Sequence, residues 1–322
     1  MPSPSTHQEF QKGQQITMQM ELTREQYDFL REWSASIPTL YFLDICVVGV
    51  TKFSDASISG NARKARCVAH LRSLDRPQNS FSYLCALMEK VSDSRGILSD
   101  DELESQVLGD LQALRMFFKN AKVYEPDDFV IDFFRVLRGA PIELQRPSYL
   151  CLLKAANDRF ELRNPVSPTR RLAMTKDILN EADVLGVSRQ HPLVTLILAC
   201  IYGNSAARNL MKFKADPASF CAENALADIM AISRFAQLKL QIEFLGREGG
   251  EFLRSDFVTD DDGLTEVFRC FEPDVVRHED KSNFRETRLK FTVKLRRLLA
   301  EIEQDEYDQV VDLLTQSAQS GL

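Results

Sequence analysis

Asp44 stands inside an apolar run, Leu40-Tyr41-Phe42-Leu43-Asp44-Ile45-Cys46-Val47-Val48. An ionised carboxylate there costs free energy unless it meets a partner or points out of the run. A second acidic group, Asp260-Asp261-Asp262, follows Phe257-Val258-Thr259 and precedes Gly263-Leu264. Two further acids, Glu89 and Asp228, sit on stretches with helical spacing, beside apolar residues. Carboxylates that converge repel one another and cannot all ionise unless a cation joins them. Oxygen ligands without His or Cys select hard cations such as Mg²⁺ or Mn²⁺. Such an ion activates water and neutralises charge on a phosphodiester. Thr259 is placed to hydrogen-bond a phosphate or to orient a carboxylate. The competing reading of Asp260, Asp261 and Asp262 is that any of them caps a helix beginning at Gly263-Leu264.

For these acids to meet, the chain must bring four separate segments together. The run up to Asp44 is rich in β-branched and aromatic residues and apolar on both sides, which predicts a central strand of a parallel sheet. Either that strand ends at Asp44, which then points off its carboxyl edge, where ligands bind in α/β sheets, or the run is a buried helix. Glu89 follows Phe81, Leu84, Leu87 and Met88 at helical spacing, and Asp228 lies in the strongly helical ASFCAENALADIMAISRFAQ. Leu238–Phe244 alternates apolar and polar residues and predicts a half-buried strand. Phe257-Val258 predicts a short strand running into the aspartates. Thr23 and Gln26 have the form of a capping box opening a helix with Tyr27, Leu30 and Trp33 on one side, Trp33 serving as a packing anchor. Ser99–Lys176 predicts helices broken by prolines. Asn283–Leu314 predicts a helix, with Phe291, Leu295, Leu298 and Ile302 on its apolar seam. Arg288, Lys290, Lys294, Arg296 and Arg297 crowd its first half and acids its second, a split that suits antiparallel self-pairing or contact with RNA.

The acid-bearing segments resemble those of the PIN-domain nucleases. That family opens with a strand ending in an apolar-apolar-Asp step, as Phe42-Leu43-Asp44 does; a Glu follows on a helix, as Glu89 does. An Asp lies on a late helix, as in NALADIMAI around Asp228, and a V-T-x-D step follows a strand, which Val258-Thr259-Asp260-Asp261 fits, pointing to Asp261. The resemblance covers Leu40–Asp93 and Asp177–Leu264. It implies an α/β fold, a PIN-like three-layer sandwich with a central parallel sheet. It also implies hydrolysis of phosphodiester bonds, RNA favoured over DNA, by Asp44, Glu89, Asp228 and Asp261, with Mg²⁺ or Mn²⁺ held by Asp44, Asp228 and Asp261. Two features depart from the family: Ile45-Cys46 follows Asp44 in place of a small residue and Asn, and the chain is much longer than the family domain. The implied organisation is a flexible leader over 1–20, a first PIN-like part over 21–98, a helical insertion over 99–176, a second part over 177–275 and a C-terminal helical segment over 276–322. That last helix is the expected contact for a second copy or an inhibitor protein.

Composition narrows the partners. The net charge is −7 and the pI about 5.3, so a nucleic acid must be met by a local basic patch, for which Arg63, Lys64 and Arg66 are the candidates. The seven cysteines form no C-x-x-C pair, which argues against a zinc site or a disulfide framework. No P-loop, dinucleotide fingerprint, H-E-x-x-H or G-x-S-x-G occurs, and the four histidines are scattered. The first residues lack the layout of a signal peptide and no apolar run reaches a membrane span, so a cytoplasmic protein is expected. The alternative to a nuclease is a non-enzymatic, mostly helical interaction protein whose acids are caps and surface charges.

Overall fold

Thr23 opens the first helix, α1 (Arg24–Ser36), through the expected capping box, in which its hydroxyl accepts from the Gln26 amide and its own amide donates to the Gln26 side chain. This helix belongs to a unit of its own, Met1–Ile37, apart from the compact unit Pro38–Leu322. Trp33 is not the packing anchor expected: it is 59% exposed, and α1 buries no residue. Its apolar side chains are interleaved with Arg24, Glu25, Asp28, Arg31 and Glu32. The computed structural model describes residues 21–92, 99–139, 143, 145–281 and 284–316, with 274–289 described by backbone alone. The leader expected over 1–20 lies outside the described residues.

In the second unit the apolar run forms strand β1 (Thr39–Leu43) and ends at Asp44, the residue before helix α2 (Ile45–Val50). The strand reading therefore holds as far as Leu43 and a helix takes over at Ile45. Helices α3 (Asp55–Ser59) and α4 (Ala62–Leu74) lead to strand β2 (Ser80–Ser82), followed by α5 (Leu84–Ser92) and α6 (Asp100–Phe117). Strand β3 (Lys122–Val123) then precedes α7 (Asp127–Gly139), α8 (Arg146–Asp158), α9 (Pro168–Val184), α10 (Pro192–Ile201) and α11 (Ser205–Met211). After a single 3₁₀ turn at Pro217–Ser219 comes the long helix α12 (Ala222–Arg247), then β4 (Arg254–Val258) and α13 (Asp262–Phe268). An antiparallel ribbon, β5 (Phe271–Lys281) and β6 (Phe284–Val293), leads to α14 (Leu295–Leu298) and α15 (Gln304–Thr315).

The architecture is α/β, built on a four-stranded parallel sheet in the order β3-β2-β1-β4. β1 lies inside it, with Phe42 beside both Ser82 and Phe257. Both faces of β1 are packed: Leu40 and Phe42 meet Cys85 and Met88 of α5 and Phe235 of α12, while Leu43 joins the cluster of α2, α4 and α6. A larger core gathers around α10, in which every residue from Leu193 to Ile201 is buried. Among the described residues no single helix is long and apolar enough to cross a membrane.

Three further expectations need correction. Leu238–Phe244 is not a strand but the second half of α12. Its Leu, Lys, Gln and Glu residues are strong helix formers, and the alternation also places Lys239 four residues from Glu243, with which it pairs. The segment 276–322 is not helical throughout: up to Val293 it is the β5–β6 ribbon, and Arg288 and Lys290 lie on a strand. Thr287, Leu289, Phe291 and Val293 recur at the period of two that a strand requires, a signal in conflict with the helical spacing of Phe291, Leu295 and Leu298. The segment 99–176 is helical but is not a separate insertion, because Lys122–Val123 pairs with Ser80–Phe81 as the outer strand of the sheet. Phe118 stacks on Phe81 at 3.7 Å, and the buried Glu125 accepts from the Ser82 hydroxyl and the Tyr83 amide.

Candidate functional site

The carboxyl ends of β1 and β4 lie side by side, the Asp44 amide donating to the Val258 carbonyl at 3.0 Å. This pairing places Asp44 next to Thr259. The Thr259 hydroxyl donates to Asp44 Oδ2 and accepts from the Asp261 amide at 3.0 Å. Of its two expected roles, orienting a carboxylate is the one seen. Asp44 is buried, and its side chain does not cap α2; the Cys46 thiol also donates to Oδ2, at 3.2 Å.

Helix α5 brings Glu89 to the same place, within reach of the charges of Asp44 and Asp228. Burial, then those charges, push Glu89 up to about 9. Asp228, on α12, is raised to about 6, first by burial; Lys212 works against this, and Asp44 and Asp261 add to it. Asp261 does two things. Its Oδ1 caps α13 by accepting from the Leu264 amide at 3.0 Å, while its Oδ2 lies 3.7 Å from Lys212 Nζ. Gly263 makes this close fit possible, since a Cβ there would stand 3.1 Å from both Asp261 Oδ1 and the Ala206 carbonyl on α11. The structure thus brings Asp44, Glu89, Asp228 and Asp261 together from four separate elements.

The sequence reading missed the cation between Asp228 and Asp261. Lys212 Nζ lies 2.9 Å from Asp228 Oδ2. Burial acts to lower its pKa, but Asp228, Asp261 and Asp44 outweigh that and raise it. Lys212 terminates α11 in the left-handed region, at φ 53°, a position that favours Gly or Asn. A lysine just past a short helix gives no periodic signal by which to find it.

The basic candidates are engaged locally. Arg63 Nε pairs with Asp260 Oδ2 at 2.7 Å and its guanidinium also donates to the Asp260 carbonyl, so Arg63 clamps the loop after β4. Lys64 lies over the Phe53 ring at 3.5 Å, and Arg66 is exposed. Asp262 is exposed in the first turn of α13. Farther along, Arg297 pairs with Glu266 and Lys294 with Glu272.

The donor set suits a hard divalent cation, being carboxylate oxygen throughout. Among the described residues, however, no three His, Cys, Asp or Glu side chains lie close enough to ligate one ion as they stand. In this arrangement the Lys212 ammonium and the proton held by Glu89 offset the acids' repulsion.

That proton has a measurable consequence. Glu89 has a folded pKa of about 9 against the ordinary glutamate value of 4.5, so the folded state binds more protons than the unfolded one across that interval. Stability must then fall as pH rises. His191 acts in the opposite sense at lower pH: half-buried as the cap of α10, it is depressed to about 4 by burial and favours folding as pH rises toward 6.5. The melting midpoint of the metal-free protein is therefore expected to decline between about pH 6.5 and 9, and Glu89→Gln should flatten that decline. A midpoint that is constant or rises across this window would show that Glu89 carries no such proton.

No protein-family model, no curated protein and no solved structure matches this chain.

Proposed function

We propose that the chain is a metal-dependent nuclease with a PIN-like three-layer arrangement, hydrolysing phosphodiester bonds in nucleic acid, RNA in preference to DNA. The observation that carries the reading is the electrostatic coupling of Asp44, Glu89, Asp228 and Asp261 at the carboxyl edge of a parallel sheet. Asp44, Asp228 and Asp261 would hold Mg²⁺ or Mn²⁺. When bound, the ion supplies an activated water and neutralises charge on the phosphate. Thr259 fixes the direction of the Asp44 carboxylate, and Glu89 holds a proton against Asp44 that it can release. Lys212, released from Asp228, offers its ammonium to a phosphate oxygen. The preference for RNA rests on the resemblance to PIN-domain nucleases.

A second reading, a non-enzymatic interaction protein, is favoured by the Asp261 cap and the Asp228–Lys212 pair, which account for two of the acids without any ligand. Melting with and without Mn²⁺, alongside cleavage of single-stranded RNA, separates the two. An ion that binds only the folded form stabilises it by about 2.7 kcal/mol at a hundredfold excess over its dissociation constant. At roughly 2–4 °C per kcal/mol for a large domain, the midpoint should rise by several degrees. Asp228→Asn should lose both the rise and the cleavage. A parent protein that neither shifts with Mn²⁺ nor cuts RNA would overturn the nuclease and leave the interaction protein.

A further inference from the structure

Beside the acids lies a cavity of about 580 Å³ that none of the chemistry above uses. It runs along the outer edge of β4, between α12, α13 and the start of the β5–β6 ribbon, and Thr259 forms part of its wall. The Thr259 hydroxyl is bonded to Asp44, so this one residue touches both the cavity and the acid cluster. Its other walls mix aromatic side chains with Lys239, Asp256, Thr265 and Glu272. Phe257 and Phe268 stack with centroids 5.0 Å apart and planes at 23°, and Phe235 lies 5.4 Å from Phe257. Phe271 and Phe291 line the ribbon side, and His70 and Arg269 also border the cavity.

The backbone contributes as well. Ser255 turns away from β1: its amide donates to Glu243 Oε1 at 3.1 Å and its carbonyl accepts from Lys239 at 3.0 Å. Strand residues alternate in direction, so Phe257 turns the same way, its amide meeting Asp256 Oδ1 at 2.9 Å. The Phe257 carbonyl therefore also turns away from β1.

We infer that this cavity receives one nucleobase of a single-stranded substrate, the base next to the phosphate that the acid cluster addresses. The inference rests on the nuclease reading and names where that site takes hold of its substrate. A flat ring stacks on Phe257 and Phe268, as bases do on the aromatic platforms of single-strand-binding proteins. The shared Thr259 is the reason for choosing a base over a free apolar ligand or a partner's side chain, because the base arrives covalently joined to the phosphate. A duplex would keep its bases stacked and paired, so the site favours single strands.

The test uses the full-length Asp261→Asn protein, which retains the α13 cap because Asn Oδ1 accepts the same bond. It is mixed with short single-stranded RNAs carrying 2-aminopurine at successive positions. Fluorescence should be quenched at one position only. Phe268→Ala and Phe268→Leu, added to that background, should remove the quench and lower affinity roughly tenfold, whereas Phe268→Tyr should keep both. Phe268→Leu conserves most of the volume, so a melting midpoint near the parent's shows that the fold survives. Equal quenching at every position, or an unchanged quench in Phe268→Ala, overturns the base site. A parent that cuts RNA without position-specific quenching sinks the pocket alone. Position-specific quenching in a protein whose parent form does not cut with Mn²⁺ keeps the pocket and sinks the nuclease.

Discussion

Asp110→Ala is expected to lower the melting midpoint by roughly 10 °C. Asp110 lies on α6 and is fully buried. Its carboxylate accepts from the Tyr83 hydroxyl at 2.6 Å, lies 2.9 Å from Lys90 Nζ on α5, and pairs with Lys52 just after α2. Deleting it leaves the Lys90 ammonium, with only 15% of its side chain exposed, and a fully buried tyrosine hydroxyl facing a void. Breaking a buried pair in this way typically costs about 3–5 kcal/mol. Lys52 provides the control. With 43% of its side chain exposed, its ammonium is largely screened, and Lys52→Ala should cost less than about 1 kcal/mol. Thermal and urea melts of the two variants make the comparison; an Asp110→Ala midpoint within a degree or two of Lys52→Ala would mean that the network adds nothing. The network bears on the site too, since Lys90 is the residue next to Glu89 and its anchor fixes how α5 presents that acid.

Lys212→Ala is expected to strengthen Mn²⁺ binding about threefold to fivefold. The ammonium occupies the space between Asp228 and Asp261 that a divalent ion would take, and with 47% of its side chain exposed its hold on those acids is screened to about 1 kcal/mol or less. Removing the competitor should leave that modest gain in affinity, read by metal titration. The metal-free variant should melt lower at pH 8, because the acids then repel one another without a counter-charge. Lys212→Gly gives a finer comparison. It removes the same charge but suits the left-handed backbone at φ 53°, which an alanine tolerates poorly. Glycine should therefore melt above alanine while binding Mn²⁺ equally well. If Lys212→Ala binds Mn²⁺ no more tightly than the parent, Lys212 does not stand in the place of the ion.

The contrast between these two lysine-bearing networks shows what could be read from the chain beforehand. Asp44 was legible because it interrupts an apolar run, and only a strand end or a helix start tolerates that. The aspartates after Val258 were legible through their threonine and glycine neighbours, although the sequence could not tell that Asp261 both caps α13 and faces Lys212. Asp110 carried a signal that went unused: it falls on the same helical stripe as Leu103, Val107, Leu111 and Leu114, where a carboxylate must have buried partners. Lys212 carried none, since its role depends on the backbone turn after α11. The β5–β6 ribbon and the second half of α12 failed for a shared reason. Over seven or eight residues, periods of 2 and 3.6 select overlapping sets of positions, and the choice falls to long-range packing.

The side chains that occupy Ser255 also govern how this molecule meets copies of itself. An open sheet edge is a template for another strand, and proteins that leave one long and bare tend to assemble into aggregates. One edge of this sheet, β3, is only two residues long. The other, β4, has its outward amide and carbonyl at Ser255 already bonded to Glu243 and Lys239 across one turn of α12. An incoming strand would first have to break an ion pair and then accept two charges at its own backbone. That barrier protects colloidal stability, and it leaves open only the stretch of β4 nearest Thr259, where a ring can enter and a second strand cannot follow.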